Sequence, residues 1–200
     1  MTDLFEEKAQ DWDARPMVAV ISSGVGAALR ERVSLSPELE VMDFGAGTGL
    51  VSGHVAPHVG RVYAVDISQA MLEKLAAKPE LEGKVEIACQ DILEQPLGRS
   101  VDLIVSAMAL HHVEDTARLL ETFAAHLEPG GRVALADLDA EDGTFHPADV
   151  EGVFHHGFDR AELGAKLEQS GLGEVEFTTA AEVDKEGKRY PIFLVTAKKR

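Results

Sequence analysis

Seven short apolar bursts recur along this chain, and the stretches between them are longer and amphipathic. The bursts are "LEVMDF", "RVYAVDI", "KVEIACQ", "VDLIVSAM", "RVALADL", "EVEFTT" and "YPIFLVTAKK". The first five are β-rich and almost continuously apolar, the pattern of parallel strands covered on both faces. Between them the spacing predicts helices over Val51–His58, Gln69–Lys78 and Thr116–Leu127. Ser68 and Asp115 stand where N-caps belong, and "EPGG" reads as a helix stop followed by a turn. Upstream, Met17–Arg32 reads as a helix with Pro16 in its first turn. Downstream, Arg160–Gln169 reads as a helix, and the last two bursts flank a hairpin-like "DKEGKR", so the final strands should be antiparallel. Strand and helix alternate as in an α/β, doubly wound sheet with helices on both faces. No linker rich in Pro, Gly or Ser divides the chain, so residues 1–200 are expected to form one domain.

Charge narrows the function. The chain has 35 acidic and 19 basic residues, a net charge of −16. Such a surface repels phosphate backbones, so no nucleic-acid partner is expected. The single cysteine, Cys89, excludes an internal disulfide and fits a reducing compartment. The N-terminal "MTDLFEEKAQDWDARP" has no apolar signal core, and no apolar run is long enough to cross a bilayer. The expectation is a cytoplasmic protein without stable membrane insertion. The sequence does not fix an oligomeric state.

"VMDFGAGTGL" runs from a strand through a glycine turn into a helix, an arrangement that can hold a nucleotide-like ligand. Counting from Gly45 gives Gly47 and then Leu50, so the dinucleotide fingerprint G-x-G-x-x-G fails. The Lys-Ser/Thr ending of a phosphate-binding P-loop is also missing. Asp43 precedes the turn, Asp66 ends the next strand and Asp91 ends the third. Ligands gather at this edge of an open α/β sheet. A carboxylate at Asp66 can accept both hydroxyls of a ribose. One at Asp91 can accept from an adenine amine or cap the next turn. Together they suit a ligand with adenine, ribose and positive charge, without phosphate.

At this point the chain resembles a known family. "VMDFGAGTGL", "AVDIS", "QDIL", "DLIVSAMALHHV" and "LEPGGRVALAD", in that order, are similar to class I S-adenosylmethionine-dependent methyltransferases. The likeness is strongest to the small-molecule branch that includes the ubiquinone and menaquinone C-methyltransferases. It implies a Rossmann-like seven-stranded sheet, six strands parallel and the last antiparallel. It also implies S-adenosyl-L-methionine as cofactor, S-adenosyl-L-homocysteine as product and a small-molecule acceptor. By the same resemblance, the loop of Asp43, Gly45, Ala46, Gly47 and Gly49 wraps the cofactor's amino acid part. Asp66 holds the ribose and Asp91 the adenine amine. Ile67, Met71 and Ile92 sandwich the adenine, and Ala107 lines the sulfonium side. Residues 1–16 resemble the lid segment of these enzymes, in which Trp12 either covers the site or packs on the sheet; Lys8, Asp13 and Arg15 are expected as surface charges.

Methyl transfer chiefly needs alignment of nucleophile, methyl and sulfur, with a base only if the nucleophile must lose a proton. His111 and His112 follow the fourth strand, and "DLDAEDGTFHP" follows the fifth. His111 reads as a cofactor or pocket residue and His112 as a base or substrate contact. In "DLDAEDGTFHP" neither register places Gly at position 6 and Glu at position 12, so it is not an EF-hand loop. It reads instead as an acceptor loop in which Asp137, Asp139 and His146 face the substrate while Glu141 and Asp142 shape the turn. The catalytic candidates are His112, Asp139 and His146. His155 and His156 raise the question of a metal, yet adjacent imidazoles rarely face one ion, and none is expected. Two other functions stay open: an NAD(P)-type oxidoreductase on a related fold, and a non-catalytic cofactor-binding protein.

Overall fold

The computed structural model describes residues 3–147 and 150–200. Its main elements are α1 (Pro16–Arg32), β1 (Glu40–Phe44), α2 (Leu50–Val55), β2 (Arg61–Asp66), α3 (Gln69–Ala76), β3 (Val85–Cys89), β4 (Val101–Ala107), α4 (Thr116–His126), β5 (Leu127–Leu138), α5 (Arg160–Gln169), β6 (Leu172–Lys185) and β7 (Lys188–Lys199). The strands form one seven-stranded sheet in the order β3-β2-β1-β4-β5-β7-β6. Only β7 runs against its neighbours, β5 and β6, as the tail of the sequence predicted.

The near-continuous apolar strands are explained by burial on both faces. Val41, Val62, Ala64, Leu103, Val105, Ile192 and Leu194 face one core, built with Ile21, Val25 and Leu29 of α1, Val51 and Val55 of α2 and Leu72 and Leu75 of α3. Their neighbours Met42, Tyr63, Val65, Ile104, Phe193 and Val195 face the other, built with Leu119, Leu120 and Phe123 of α4 and Leu163 and Leu167 of α5. Alternate residues of each strand thus serve opposite layers. Each fully buried large side chain contributes roughly 1.5–3 kcal/mol.

The expected caps form. Ser68 Oγ accepts from Met71 N at 3.2 Å, and Asp115 Oδ1 accepts from Arg118 N at 2.9 Å. Three element ends differ from expectation, for local reasons. α2 gives way after Val55 to a 3-10 turn, Ala56–His58, because Pro57 has no N–H for the α ladder. α3 stops at Ala76, since Lys78 precedes Pro79 and is held extended (φ −85°, ψ 109°). "EPGG" lies inside β5 rather than before it: pairing jumps from Val101–Leu127 to Leu103–Arg132, so the extra residues form an irregular strand start.

The sheet order reverses between β1 and β4, which lie side by side while the chain continues from β1 toward β2. A crevice opens outside the C-terminal strand ends at such a switch point. Over it pass the loops after β1, β2, β3, β4 and β5 and the N-terminal segment.

Candidate active site

The loop after β1 is fixed by the strand beside it. Ala46 N donates to Val65 O at 3.1 Å, and Gly47 N donates to Asp66 Oδ2 at 2.8 Å. The other Asp66 oxygen accepts from Ser68 N at 2.8 Å. Asp66 therefore braces the glycine loop and the start of α3 while still facing the cavity. Burial raises its pKa, opposed by these backbone donors.

The cavity has a volume of about 1000 Å³. One end is walled by Gly45, Ala46, Gly47, Thr48, Asp66, Ile67, Met71 and Asp91. Gly47 has φ +54°, and a Cβ there would meet nothing within 4 Å, so the bare backbone opens onto the cavity. Ile67 leaves 62% of its surface exposed beside it. Asp91 Oδ1 accepts from Leu93 N at 2.9 Å, capping the next turn, while the residue stays on the cavity wall. These residues fit S-adenosylmethionine: Asp66 and Asp91 for the ribose and adenine, Ile67 and Met71 for the ring face, and the Gly45–Gly47 backbone for the amino acid part. Ala107 also lines the cavity.

Several expected positions are corrected. Asp43 sits behind the loop, 1% exposed: Ser52 Oγ donates to its Oδ2 at 2.6 Å, and Oδ1 has no partner. Burial pushes its pKa up to about 7, against the Ser52 hydrogen bonds. Gly49 (φ +82°) serves packing, since a Cβ there would lie 2.6 Å from Leu75 Cγ. Ile92 points into the core with α4, and Leu93 takes its place on the cavity wall. Asp139 is held off the cavity by a two-pronged ion pair with Arg160, at 2.7 and 2.8 Å, beside a bridge to Phe158. It closes the loop between β5 and α5 and does not line the cavity. Asp137 is fully buried and reaches the site only through His111.

The other end of the cavity holds three imidazoles. His111, His112 and His146 all line it, with ring centroids 4.2 Å (His111–His112), 5.0 Å (His111–His146) and 6.0 Å (His112–His146) apart. Met108, with φ 58°, turns the chain off β4 so that the two adjacent histidines fold over the site. His112 Nδ1 donates to Gly152 O at 2.5 Å. Its pKa is lowered to about 4, mainly by burial and then by His111. That of His146 is also lowered to about 4, by burial and then by the other two rings. Both rings are neutral near pH 7. His155 and His156 separate, as their adjacency suggested. His155 Nε2 bonds the carbonyls of Val113 and Glu114 at 3.0 and 3.1 Å, and His156 turns to Glu141. Among the described residues, no group of three or more His, Cys, Asp or Glu is placed to hold a metal ion.

The N-terminal segment lies across the opening; its first two residues fall outside the described ones. Phe5, Lys8, Trp12 and Arg15 line the cavity, and Phe5 packs edge-on against Trp12 and His112. Asp3 and Asp13 latch it, a role that the expected place of Asp13 among surface charges did not reveal. Asp3 Oδ2 accepts from Ser68 Oγ at 2.8 Å, and Asp13 Oδ1 accepts from Thr48 Oγ1 at 2.5 Å. Asp13 also pairs with Lys78 at 2.6 Å. Among the described residues no helix is long and apolar enough to cross a membrane.

Comparison with known proteins agrees with this geometry. Residues 42–135 match the family model described as a methyltransferase domain. An uncharacterized methyltransferase of Schizosaccharomyces pombe is 31% identical over 135 residues, which cover 60% of this chain and 48% of that protein. The present chain therefore spans about half the length of that relative. An uncharacterized methyltransferase of Geobacillus kaustophilus is 27% identical over 164 residues, 78% of this chain and 75% of that protein. The fold is shared with the N-methyltransferase NodS from Bradyrhizobium japonicum, solved with S-adenosyl-L-homocysteine; the TM-score is 0.73 at 18% identity, covering 98% of this chain and 94% of that one. Residues 42–135, a little under half of the chain, are thus similar to a methyltransferase domain, and the sheet shares its fold with solved methyltransferases.

Proposed function

We propose that this protein transfers a methyl group from S-adenosylmethionine to a small-molecule acceptor by direct displacement, and that it belongs with the small-molecule branch that includes the quinone C-methyltransferases. The observation that carries this reading is one cavity with two chemically different ends. A glycine loop with Asp66 and Asp91 stands at one end, and three imidazoles under an aromatic lid stand at the other. When bound, the cofactor supplies a methyl carbon already activated by a sulfonium. The chain's own part is to hold, orient and exclude water. Asp66 and Asp91 offer carboxylate acceptors on the same cavity wall as Ile67, and the Phe5–Trp12 segment lies over the opening. Fixing two reactants in line can supply roughly 7–11 kcal/mol of a barrier.

Isothermal titration with S-adenosyl-L-homocysteine tests the reading. The wild type should bind, and Asp66→Asn should weaken binding about ten- to hundredfold, the ~1.5–3 kcal/mol of a hydrogen bond to a charged acceptor. Asparagine keeps one oxygen, enough for Gly47 N, and gives up the bond from Ser68 N. Absence of binding by the wild type at millimolar ligand would overturn the proposal.

A further inference from the structure

The acceptor end of the cavity contains a dyad that the methyl-transfer reading does not require. His111 Nδ1 lies 2.7 Å from Asp137 Oδ1. The same carboxylate accepts from His111 N at 3.2 Å and Leu138 N at 2.7 Å. Both residues are buried. A carboxylate surrounded by N–H donors is an acceptor only, so Nδ1 carries the ring proton. Nε2 is the ring nitrogen that Asp137 leaves unpaired, the one through which this imidazole would act as a base. This Nε2 is enclosed and has no partner, and neither has His146 Nε2 on the facing ring. The two rings lie side by side with centroids 5.0 Å apart, so one small polar group at their edges could serve both unpartnered nitrogens. It would have to donate to His111 and accept from His146. A hydroxyl does both at once.

The surroundings narrow the molecule that carries that hydroxyl. Phe5, Trp12 and Phe145 line this end, a wall suited to a flat ring. Lys8, Arg15 and Lys185 face the cavity against Glu114 and Glu151, and Lys8 acts on both His112 and His146. A hydroxyl enters this mixed-charge wall neutral, and the nearby lysines favour its ionised form. His112 and His146 are poor bases in this setting, and neither has a carboxylate behind it; His111 has one.

We infer that His111 is the general base for an acceptor hydroxyl of the phenol or enol class, with Asp137 as the positioning residue that holds its ring and His146 as a donor to the acceptor oxygen. This rests on the methyl-transfer reading above, and it moves His111 from the cofactor side of the site to the acceptor side. For oxygen methylation the balance is complete. The hydroxyl proton passes to His111 Nε2, an oxygen lone pair forms the O–CH3 bond, and the methyl–sulfur bond breaks with its electron pair kept by sulfur. The imidazolium is stabilised by Asp137 and returns its proton to solvent after product leaves.

Simple phenols of graded acidity serve as probes. Formation of S-adenosyl-L-homocysteine is followed with unsubstituted phenol, which must lose its proton on the enzyme, and with 4-nitrophenol at a pH where it is already ionised in solution. His111→Gln should lose about a hundredfold or more with phenol, the range of general-base catalysis. It should lose only a few-fold with 4-nitrophenol and keep its affinity for the homocysteine product. A second readout needs no methyl donor. At a pH where free 4-nitrophenol is mostly neutral, the wild type should develop the probe's phenolate absorbance, and His111→Gln should not. Should the variant fail to fold, this titration of the wild type decides alone. Equal losses with both phenols, no loss with either, or no phenolate band on the wild type would overturn the assignment. So would a wild type that binds the homocysteine product yet methylates no phenol, an outcome that leaves the methyl-transfer reading standing. A wild type that fails to bind that product overturns both.

Discussion

Asp43, Asp66 and Asp91 end three successive strands and share one sequence logic, yet their side chains do three different things. Asp91 caps a turn at the cavity wall, Asp66 braces two backbone segments and faces the cavity, and Asp43 is shut behind the glycine loop with one oxygen unpartnered. Asp43 carries a pH dependence of defined sign. Its folded pKa is raised from 3.8 to about 7 by burial. The folded state therefore binds this proton more tightly than the unfolded chain. The resulting stability is full below the unfolded value and is lost as pH rises through about 7. Asp43→Asn, which can still accept from Ser52, does not titrate. Urea unfolding should show the variant gaining on the wild type between about pH 4 and about pH 7; a difference that is flat with pH refutes this. Gly49 belongs to the same scale. With φ +82° and Leu75 Cγ 2.6 Å from the position of a Cβ, Gly49→Ala should cost about 1–3 kcal/mol of stability, read by the same method.

At the scale of elements, the helices and strands were legible and the segments over the cavity were not. Ser68 and Asp115 announce their helices because capping is a contact between near neighbours in sequence. Ile92 and Leu93 are adjacent, both apolar and both after a strand, so only the Asp91 turn decides which one faces the cavity. The lid latch joins residues 35 apart at Thr48 and Asp13, and no periodicity encodes that pairing. It yields a direct expectation. Asp13→Ala removes the contacts with Thr48 and Lys78, so trypsin should cut the lid after Lys8 faster than in the wild type while the melting temperature changes little. The affinity for S-adenosyl-L-homocysteine should fall several-fold, because Thr48 belongs to the cofactor loop. Cleavage at the wild-type rate would show that the latch does not hold the lid.

At the scale of the molecule, every strand belongs to one sheet, and β7 lies between β5 and β6 so that the last residues of the chain complete the centre of one half. Both cores draw on strands from the beginning and the end of the sequence. Unfolding in urea should therefore be a single transition by circular dichroism. S-adenosyl-L-homocysteine at a hundred times its dissociation constant should add about 2.7 kcal/mol. Two separated transitions would refute a single cooperative unit.

The sequence by itself determined the alternation of strands and helices, the antiparallel end and the edge of the sheet at which chemistry gathers. Those features follow from hydrophobic period, caps and turn residues, each a local property repeated along the chain. Only the tertiary structure decided which polar side chains reach the cavity. It turned Asp139 away to Arg160, set Asp137 behind His111 and brought His146 from a distant loop against both. The physical reason is that loops have no period. Their side chains are placed by long-range pairing of charges and hydrogen bonds across the closed fold, where the same aspartate can meet a ligand, a backbone N–H or an arginine.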